Sequence, residues 1–237
     1  MNVFEHAMQM ELDGKKYYEE CAEKVELPQL KQVLMELLEL SIRSPSSINI
    51  QPWEFYIISG DALNELKSAY LKEFRLGRKA DPEIPVVPKG GSSQLQGVFR
   101  ERQVKLAKQI FKIMNIGKGD SAKQQKWNEK MMRFYDAPAV IVIVVDKTLQ
   151  GSWPILDTGL VLQNIVLAAQ EYGLGTCIMR VIVDYPEQLR KIAKIPETKR
   201  IVIGLSIGYP DNDHPVNQLK TDREEIEKIV TIADSMD

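Results

Sequence analysis

One run of residues restricts the folds open to this chain more than any other: residues 139–145 read AVIVIVV, with no polar side chain among them. A strand that exposes one face to water alternates apolar and polar residues. An unbroken series of mostly β-branched residues instead predicts a strand that is buried on both faces. The chain should therefore contain a central strand that is covered from two sides.

Shorter patterns predict the elements around this strand. Further strands are expected at residues 53–58, 176–183 and 201–207. The clearest helix spans residues 157–172, where Asp157 is placed to cap the N-terminus and Gly173 fits the position after the last turn. Another helix should include Pro28 in its first turn and stop at Ser44-Pro45. Because these elements lack a regular βαβ alternation, they predict an α+β protein.

Composition excludes several classes of function. The 237 residues carry a net charge of −2, which gives no bulk attraction to nucleic acid or to anionic membranes, and no apolar run is long enough to span a bilayer. Two cysteines cannot form a disulfide framework and no signal peptide is recognisable, so a cytoplasmic protein is expected. The chain has two histidines, His6 and His214, so a histidine-based metal centre or catalytic triad is not expected.

The segment SPSSINIQPW, residues 44–53, has the least ordinary composition in the chain. It places four short polar side chains between two prolines, namely Ser46, Ser47, Asn49 and Gln51. Hydroxyl and amide groups on a restrained backbone can hydrogen-bond a polar planar ligand. The alternative is a turn whose serine and asparagine side chains satisfy their own backbone, and composition alone favours that alternative.

Two weaker signals have similarly open interpretations. The glycines of Gly173-Leu174-Gly175-Thr176 allow close approach of a ligand, or they simply end a helix and begin a strand. Lys220, Thr221 and Arg223 combine two cations with a hydroxyl, which suits a phosphate group, whereas most such clusters are solvated surface. Taken alone, each motif favours the structural interpretation.

Three segments together resemble the FMN-dependent nitroreductase family. Residues 43–55 resemble its Pro-Ser-x-x-Asn-x-Gln-Pro-Trp motif almost completely. Residues 162–177 are similar to the passage from helix to strand under the flavin, and residues 215–223 are similar to the C-terminal basic motif. The segments occur in the family's order, and the resemblance covers roughly residues 27–230.

The resemblance implies a fold and an assembly. The fold would be a three-layer α+β sandwich in which helices flank a small mixed sheet. The protein would be a homodimer, because family members build each flavin site from both subunits. Residues 40–237 would form the FMN-binding domain, and residues 1–39 would form a helical arm attached to it.

The resemblance also assigns roles to particular residues. Contacts with FMN, across the dimer interface, fall to Pro45, Ser46, Ser47, Asn49 and Gln51. Backbone groups around Ile178, Met179 and Arg180 would face the reactive edge of the flavin ring. The phosphate of FMN would be held by Lys220 and Arg223.

The implied activity needs no catalytic side chain, because FMN itself carries the hydride chemistry. NAD(P)H would reduce the flavin and leave, and a small planar acceptor such as a nitroaromatic or a quinone would then take its place. This order of events is a ping-pong mechanism. The alternative is a protein that binds, stores or senses flavin without efficient turnover.

The N-terminus departs from the family and motivates that alternative. The family carries an Arg-Arg-Ser-x-Arg motif that grips the flavin phosphate, whereas the comparable region here offers Lys15 and Lys16, which lack the bidentate fork of arginine. Residues 1–39 instead resemble the first helices of rubrerythrin-type ferritin-like proteins, with Glu11 at the position of a di-iron ligand. The partner Glu-x-x-His pairs are missing, so a helical arm without metal is predicted, and a ferritin-like oxidase is the least favoured reading.

Overall fold

The structure is a computed structural model that describes residues 27–85 and 95–233. The predicted arm over residues 1–26, with Glu11, Lys15 and Lys16, lies outside the described residues. The α-helices of the described part are α1 (Leu27–Ser41), α2 (Gly60–Arg75), α3 (Gly97–Ile113), α4 (Ser121–Met132), α5 (Trp153–Glu171) and α6 (Pro186–Ala193). Its strands are β1 (Trp53–Ser59), β2 (Ala139–Asp146), β3 (Gly175–Met179) and β4 (Lys199–Gly208).

The four strands form one sheet in the order β1-β2-β4-β3. All three pairings are antiparallel, so the prediction of a mixed sheet is wrong for the described strands. The physical reason is that, where consecutive strands are neighbours in the sheet, the connecting segment brings the chain back to the same end of the sheet at which the first strand finished. For example, Ser59 at the end of β1 pairs with Ala139 at the start of β2.

The apolar run of β2 divides its side chains between two cores, one on each face of the sheet. Ile141 and Ile143 pack with side chains of α1 and α5, while Val142 and Val144 pack with side chains of α2 and α6. All of β2 from residue 139 to residue 145 is fully buried. The prediction of a strand buried on both faces is confirmed, and the layers form the expected α+β sandwich.

Two predicted boundaries are wrong, and both concern the candidate site. Helix α5 begins at Trp153, with Pro154 in its first turn, so Asp157 lies inside the helix instead of capping it. Strand β3 ends at Met179, and a 3₁₀ turn over Arg180–Val183 follows where the sequence predicts more strand. That turn buries Ile182 against Gly204, where an added Cβ would come within 2.2 Å of the Ile182 Cγ2 atom.

The chain divides into two compact units. The sheet unit holds the described residues within Met1–Gly91 and Ala122–Pro210, and the tail unit holds those within Ser92–Ser121 and Asp211–Asp237. Within the tail unit, α3 is tied to the segment after residue 220 by ion pairs. Within the described ranges, no helix has the length and apolar character needed to cross a membrane.

Candidate active site

The polar turn, residues 45–51, connects α1 to β1 and is anchored at both ends. Before it, Ser44 is buried and its hydroxyl donates a hydrogen bond to the Ser41 carbonyl at 2.7 Å. After it, Pro52 and Trp53 are buried where β1 begins. The turn itself faces solvent along most of its length. Fixed ends and an exposed centre are the geometry of a binding loop on a rigid scaffold.

The backbone of the polar turn adopts an unfavourable conformation at three places. Ile48, Asn49 and Gln51 have φ angles of 44°, 59° and 46°, in the left-handed region. Asparagine tolerates this region, but for other residues with a Cβ it costs roughly 1–2 kcal/mol each, and a β-branched isoleucine is a clear outlier. Strain of this kind persists where the surrounding structure imposes it, and it clusters at ligand sites.

Part of the turn's polar chemistry is used within the turn. The Ser46 hydroxyl oxygen accepts a hydrogen bond from the Gln51 N–H at 2.9 Å, and the Gln51 amide donates to the Asn49 side-chain oxygen at 3.2 Å. The alternative reading of a self-satisfied turn is therefore partly correct. The Ser47 hydroxyl and the Asn49 amide nitrogen, however, have no partner among the described residues, so they remain available to a ligand.

Two side chains of helix α5 hydrogen-bond to the polar turn and to the residue before it. The Ser47 N–H lies 3.2 Å from each carboxylate oxygen of Asp157, and the Asn164 amide donates to the Ser44 hydroxyl oxygen at 2.6 Å. Sequence reasoning missed both roles, since Asp157 was expected to cap its own helix. The available signal was two polar residues seven positions apart, a spacing that places them on one face of the helix.

The end of β3 presents a second group of predicted residues. Ile178 is 47% exposed, the Met179 side chain is buried, and the Arg180 side chain is about half exposed. The Arg180 guanidinium pairs with the buried carboxylate of Asp184. Burial raises the pKa of Asp184, and the Arg180 cation offsets only part of that rise. Among the described strands β3 has only β4 beside it, so its outer backbone edge is unpaired by any of them.

The glycines before β3 have structural explanations. Gly173 has a φ of 65° just after α5, which confirms the predicted helix end. A Cβ on Gly175 would lie 3.0 Å from the Pro210 ring, so this glycine allows close packing of two segments. The plain interpretation of the Gly-Leu-Gly segment therefore accounts for both positions without a ligand.

In the tail unit, the basic cluster is exposed and tethered through its acidic neighbours. Asp222 pairs with Lys105 at 2.5 Å, and Glu224 pairs with Arg102 at 2.7 Å. Arg223 donates to the Thr221 hydroxyl at 2.8 Å, which orients its guanidinium beside that hydroxyl. The two ion pairs hold a segment whose other cation, Lys220, is exposed.

A metal centre and a thiol nucleophile find no support among the described residues. In residues 27–85 and 95–233, no three His, Cys, Asp or Glu side chains lie close enough together to hold a metal ion. Burial raises the pKa of the half-buried Cys177 thiol, which disfavours a thiolate nucleophile. The candidate residues of the sheet unit therefore fall in two regions of one chain: the polar turn before the edge strand β1, and the end of the opposite edge strand β3.

Comparison with known proteins adds a family to this geometry. The sequence pattern of the nitroreductase family matches residues 28–209. The chain belongs to the nitroreductase family. Family relatives include a nitrobenzene nitroreductase from Ectopseudomonas oleovorans, 29% identical over 84% of this chain and 86% of the relative. A 4-nitrobenzoate reductase from Nocardioides sp. is 26% identical over 85% of this chain and 81% of its own length.

A solved structure of the same family confirms the fold. The FMN-dependent nitroreductase NfnB from Mycobacterium smegmatis, determined in complex with NADPH, superposes with a TM-score of 0.78. The match covers 86% of this chain and 89% of NfnB at 23% sequence identity. Helices on both faces of a small sheet are thus the shared architecture.

Proposed function

We propose that this nitroreductase-family chain is an FMN-dependent oxidoreductase that uses NAD(P)H to reduce nitroaromatics, quinones or similar planar acceptors. The observation that carries the proposal is the strained, exposed polar turn, which holds the family's Ser-x-x-Asn-x-Gln pattern in place. The acceptor class is supported by relatives named for nitrobenzene and 4-nitrobenzoate. The cofactor and donor are supported by NfnB, which is described as FMN-dependent and bound to NADPH.

The donor set of the polar turn fits FMN. A ribityl chain and a ring edge need hydroxyl and amide partners, and the turn offers the Ser47 hydroxyl and the Asn49 amide. Ser46 and Gln51 bond each other and so set the shape of the loop, while Pro45 restricts its entry. FMN, when bound, supplies the hydride chemistry, and the protein supplies placement and electrostatics.

The end of β3 would border the reactive edge of the ring. Ile178 offers an exposed apolar side chain, and the outer backbone edge of β3 can donate hydrogen bonds. Arg180 adds a positive charge whose position is restrained by Asp184. Backbone donors and a fixed cation favour negative charge developing nearby. NAD(P)H and the acceptor would occupy the same space in turn, as ping-pong kinetics requires.

The phosphate of FMN is assigned to Lys220 and Arg223, on the properties of the tail unit alone. These two cations remain after Asp222 and Glu224 have been neutralised by α3. Arginine and lysine beside a hydroxyl form a suitable phosphate-binding group. Replacing both cations by glutamine should weaken FMN more than riboflavin, which lacks the phosphate, and an equal effect on both flavins would reject the assignment.

A homodimer is proposed from the outer surface of α5. An apolar stripe runs along the exposed face of this helix, formed by Trp153, Leu156, Leu160 and Leu167. The exposed side of a surface helix is ordinarily polar, so an apolar one indicates a covered interface. Ile48 of the polar turn is 93% exposed, and Asp157, which holds that turn, directly follows Leu156. A second copy on the stripe would therefore reach the site.

The dimer is tested by placing a charge in the stripe. Leu160→Lys should shift the protein from twice the mass of one chain to a single chain in light scattering, because a buried lysine cation is costly. Leu76→Lys changes an equally apolar, exposed residue at the end of α2 and serves as the control. A wild-type protein that is monomeric at all concentrations would reject the proposal.

FMN binding is tested by titration. Asn49→Asp keeps an oxygen that accepts from Gln51 and a residue type that tolerates the left-handed region, but it removes the amide donor. It should weaken FMN binding roughly 3- to 10-fold, which corresponds to the loss of one ordinary hydrogen bond. Asn64→Asp makes the same change on the exposed side of α2 and should leave the affinity unchanged. A wild-type protein that neither retains FMN nor responds to its addition would overturn the proposed function.

Four related proposals remain from the sequence. Rapid loss of yellow colour on mixing the FMN-loaded protein with NADH or NADPH would exclude a flavin-storage or sensing role. The division into an arm over residues 1–39 and an FMN-binding domain over residues 40–237 stays a prediction, and so does a cytoplasmic location. In this scheme Lys15 and Lys16 would replace the missing arginines, which substitution of both lysines would test.

A further inference from the structure

Two side chains of α5 hold the polar turn region at separate points. Asp157 and Asn164 are seven residues apart, which places them on one helix face about 10 Å from each other. Asn164 bonds Ser44 just before the turn, and Asp157 bonds the backbone of Ser47 inside it. The partners are 120 and 110 positions away in sequence, so these contacts lock two distant parts of the chain together.

The environment of Asp157 is unusual for a carboxylate in a helix. The residue is only 3% exposed, and both of its oxygens lie 3.2 Å from one backbone N–H. Among the described residues, the Ser47 N–H is the only hydrogen-bond donor to the Asp157 carboxylate. Burying a carboxylate is costly unless its partner repays the desolvation. A buried carboxylate with one donor adds little to stability, so its position is better explained by the segment that it restrains.

The bond that Asp157 makes falls where the strained backbone begins. Ser47 opens the short 3₁₀ turn Ser47–Asn49, and its N–H has no partner within that turn. The carboxylate satisfies this N–H immediately before Ile48 enters the left-handed region. Without that restraint the chain would relax toward lower-energy conformations in which the side chains of the turn point elsewhere.

We propose that Asp157 is a positioning residue that keeps the polar turn in its FMN-binding conformation, with Asn164 fixing the start of the turn. This inference rests on the proposed function, since it assigns a role toward the same cofactor. Asp157 does not touch the ligand; it acts through Ser47. Its loss lowers the fraction of molecules whose turn is ready to bind, and the apparent affinity falls by the same factor.

Two substitutions separate positioning from folding. Asp157→Leu removes both acceptors with little change in shape, and it should weaken FMN binding roughly 10- to 100-fold, the range for a lost hydrogen bond to a charged group. Asp157→Asn keeps one acceptor oxygen for Ser47 and should restore most of the affinity. Glu171→Gln makes the carboxylate-to-amide change at the exposed end of the same helix and should have no effect.

The decisive readout does not depend on turnover. Amide hydrogen exchange of the apo protein should show faster exchange at Ser47 and through the turn in Asp157→Leu, while β2 amides stay protected. Asp157→Asn should lie between this variant and wild type in both exchange and FMN affinity. A melting temperature for each variant shows whether the fold is intact.

Two results would overturn the inference. One is unchanged FMN affinity in folded Asp157→Leu; the other is a loss of affinity accompanied by faster exchange throughout β2, which would make Asp157 merely structural. If Asp157→Leu does not fold, Asp157→Asn decides by the same comparison of turn and core amides. Failure of wild-type protein to bind FMN is a different outcome, because it rejects the proposed function while the apo exchange experiment still tests the restraint on the turn.

Discussion

Gly204 lies in β4 and pairs with Met179, the last residue of β3. Gly204→Ala should damage both the fold and the candidate residues at the end of β3. A new Cβ would lie 2.2 Å from the Ile182 Cγ2 atom and 2.4 Å from its Cβ, more than about 1 Å short of ordinary van der Waals contact. Ile182 is fully buried and β-branched, so it cannot rotate away. The 3₁₀ turn that carries it, Arg180–Val183, must move instead.

The magnitude follows from the size of this overlap. Overpacking by one methyl group costs typically about 1–3 kcal/mol, and the overlap here favours the upper part of that range. For a chain of this size, each kcal/mol lowers the melting temperature by about 2–4 °C, so a decrease of roughly 5–12 °C is expected. FMN affinity should fall as well, because Arg180 begins the displaced turn.

Thermal unfolding followed by circular dichroism measures the effect. Gly117→Ala is the control, since a Cβ there meets nothing within 4 Å. Adding Ile182→Ala to Gly204→Ala should recover part of the loss, so the double variant should be more stable than the two single effects predict. A shift of about 1 °C corresponds to about 0.3 kcal/mol in a chain of this size, which is close to experimental error. If the melting temperature of Gly204→Ala lies within about 1 °C of wild type, the predicted overlap with Ile182 does not destabilise the fold.

Two further predictions test the same half of the sheet unit and its edge. Tyr70→Phe removes the hydroxyl that donates to the Ile182 carbonyl at 2.6 Å, and leaving this buried oxygen unpaired should cost about 1–3 kcal/mol in urea unfolding. Tyr185→Phe removes a more exposed bond to the Arg78 carbonyl and should cost less; equal effects would contradict the argument. Hydrogen bonds from Thr148, together with Lys199, lower the pKa of Asp146 to about 2. Asp146 should therefore stabilise the fold above its usual pKa and lose that effect as the pH falls toward 2, so the gap in melting temperature between wild type and Asp146→Asn should narrow over that interval. A gap that widens on acidification would show that the sign is wrong.

The parts of the fold that follow from local patterns were predictable from the sequence. The apolar run of β2 indicates burial on both faces because its own residues lack polar alternation. The turn at residues 45–51 is recognisable because its prolines and short polar side chains are adjacent in sequence. In both cases the residues that determine the structure lie within about ten positions of each other.

The features that sequence reasoning missed depend on contacts between distant segments. A pattern of spacings shows which face of a helix is buried, but it does not show that Asp157 meets the backbone of Ser47. The packing of the 3₁₀ turn after β3 likewise depends on Gly204, whose missing side chain makes room for Ile182. The antiparallel order of the sheet depends on where each connection returns, which no local signal records.

The proposed function requires bound FMN to pass electrons from NAD(P)H to a planar acceptor. The most direct measurement mixes desalted, FMN-loaded protein with a limiting amount of NADPH or NADH in the absence of oxygen, and then adds nitrobenzene. The visible absorbance of the flavin should fall in the first step and return in the second. Protein that emerges colourless from desalting, or a bound flavin whose absorbance does not change with either nucleotide, would contradict it.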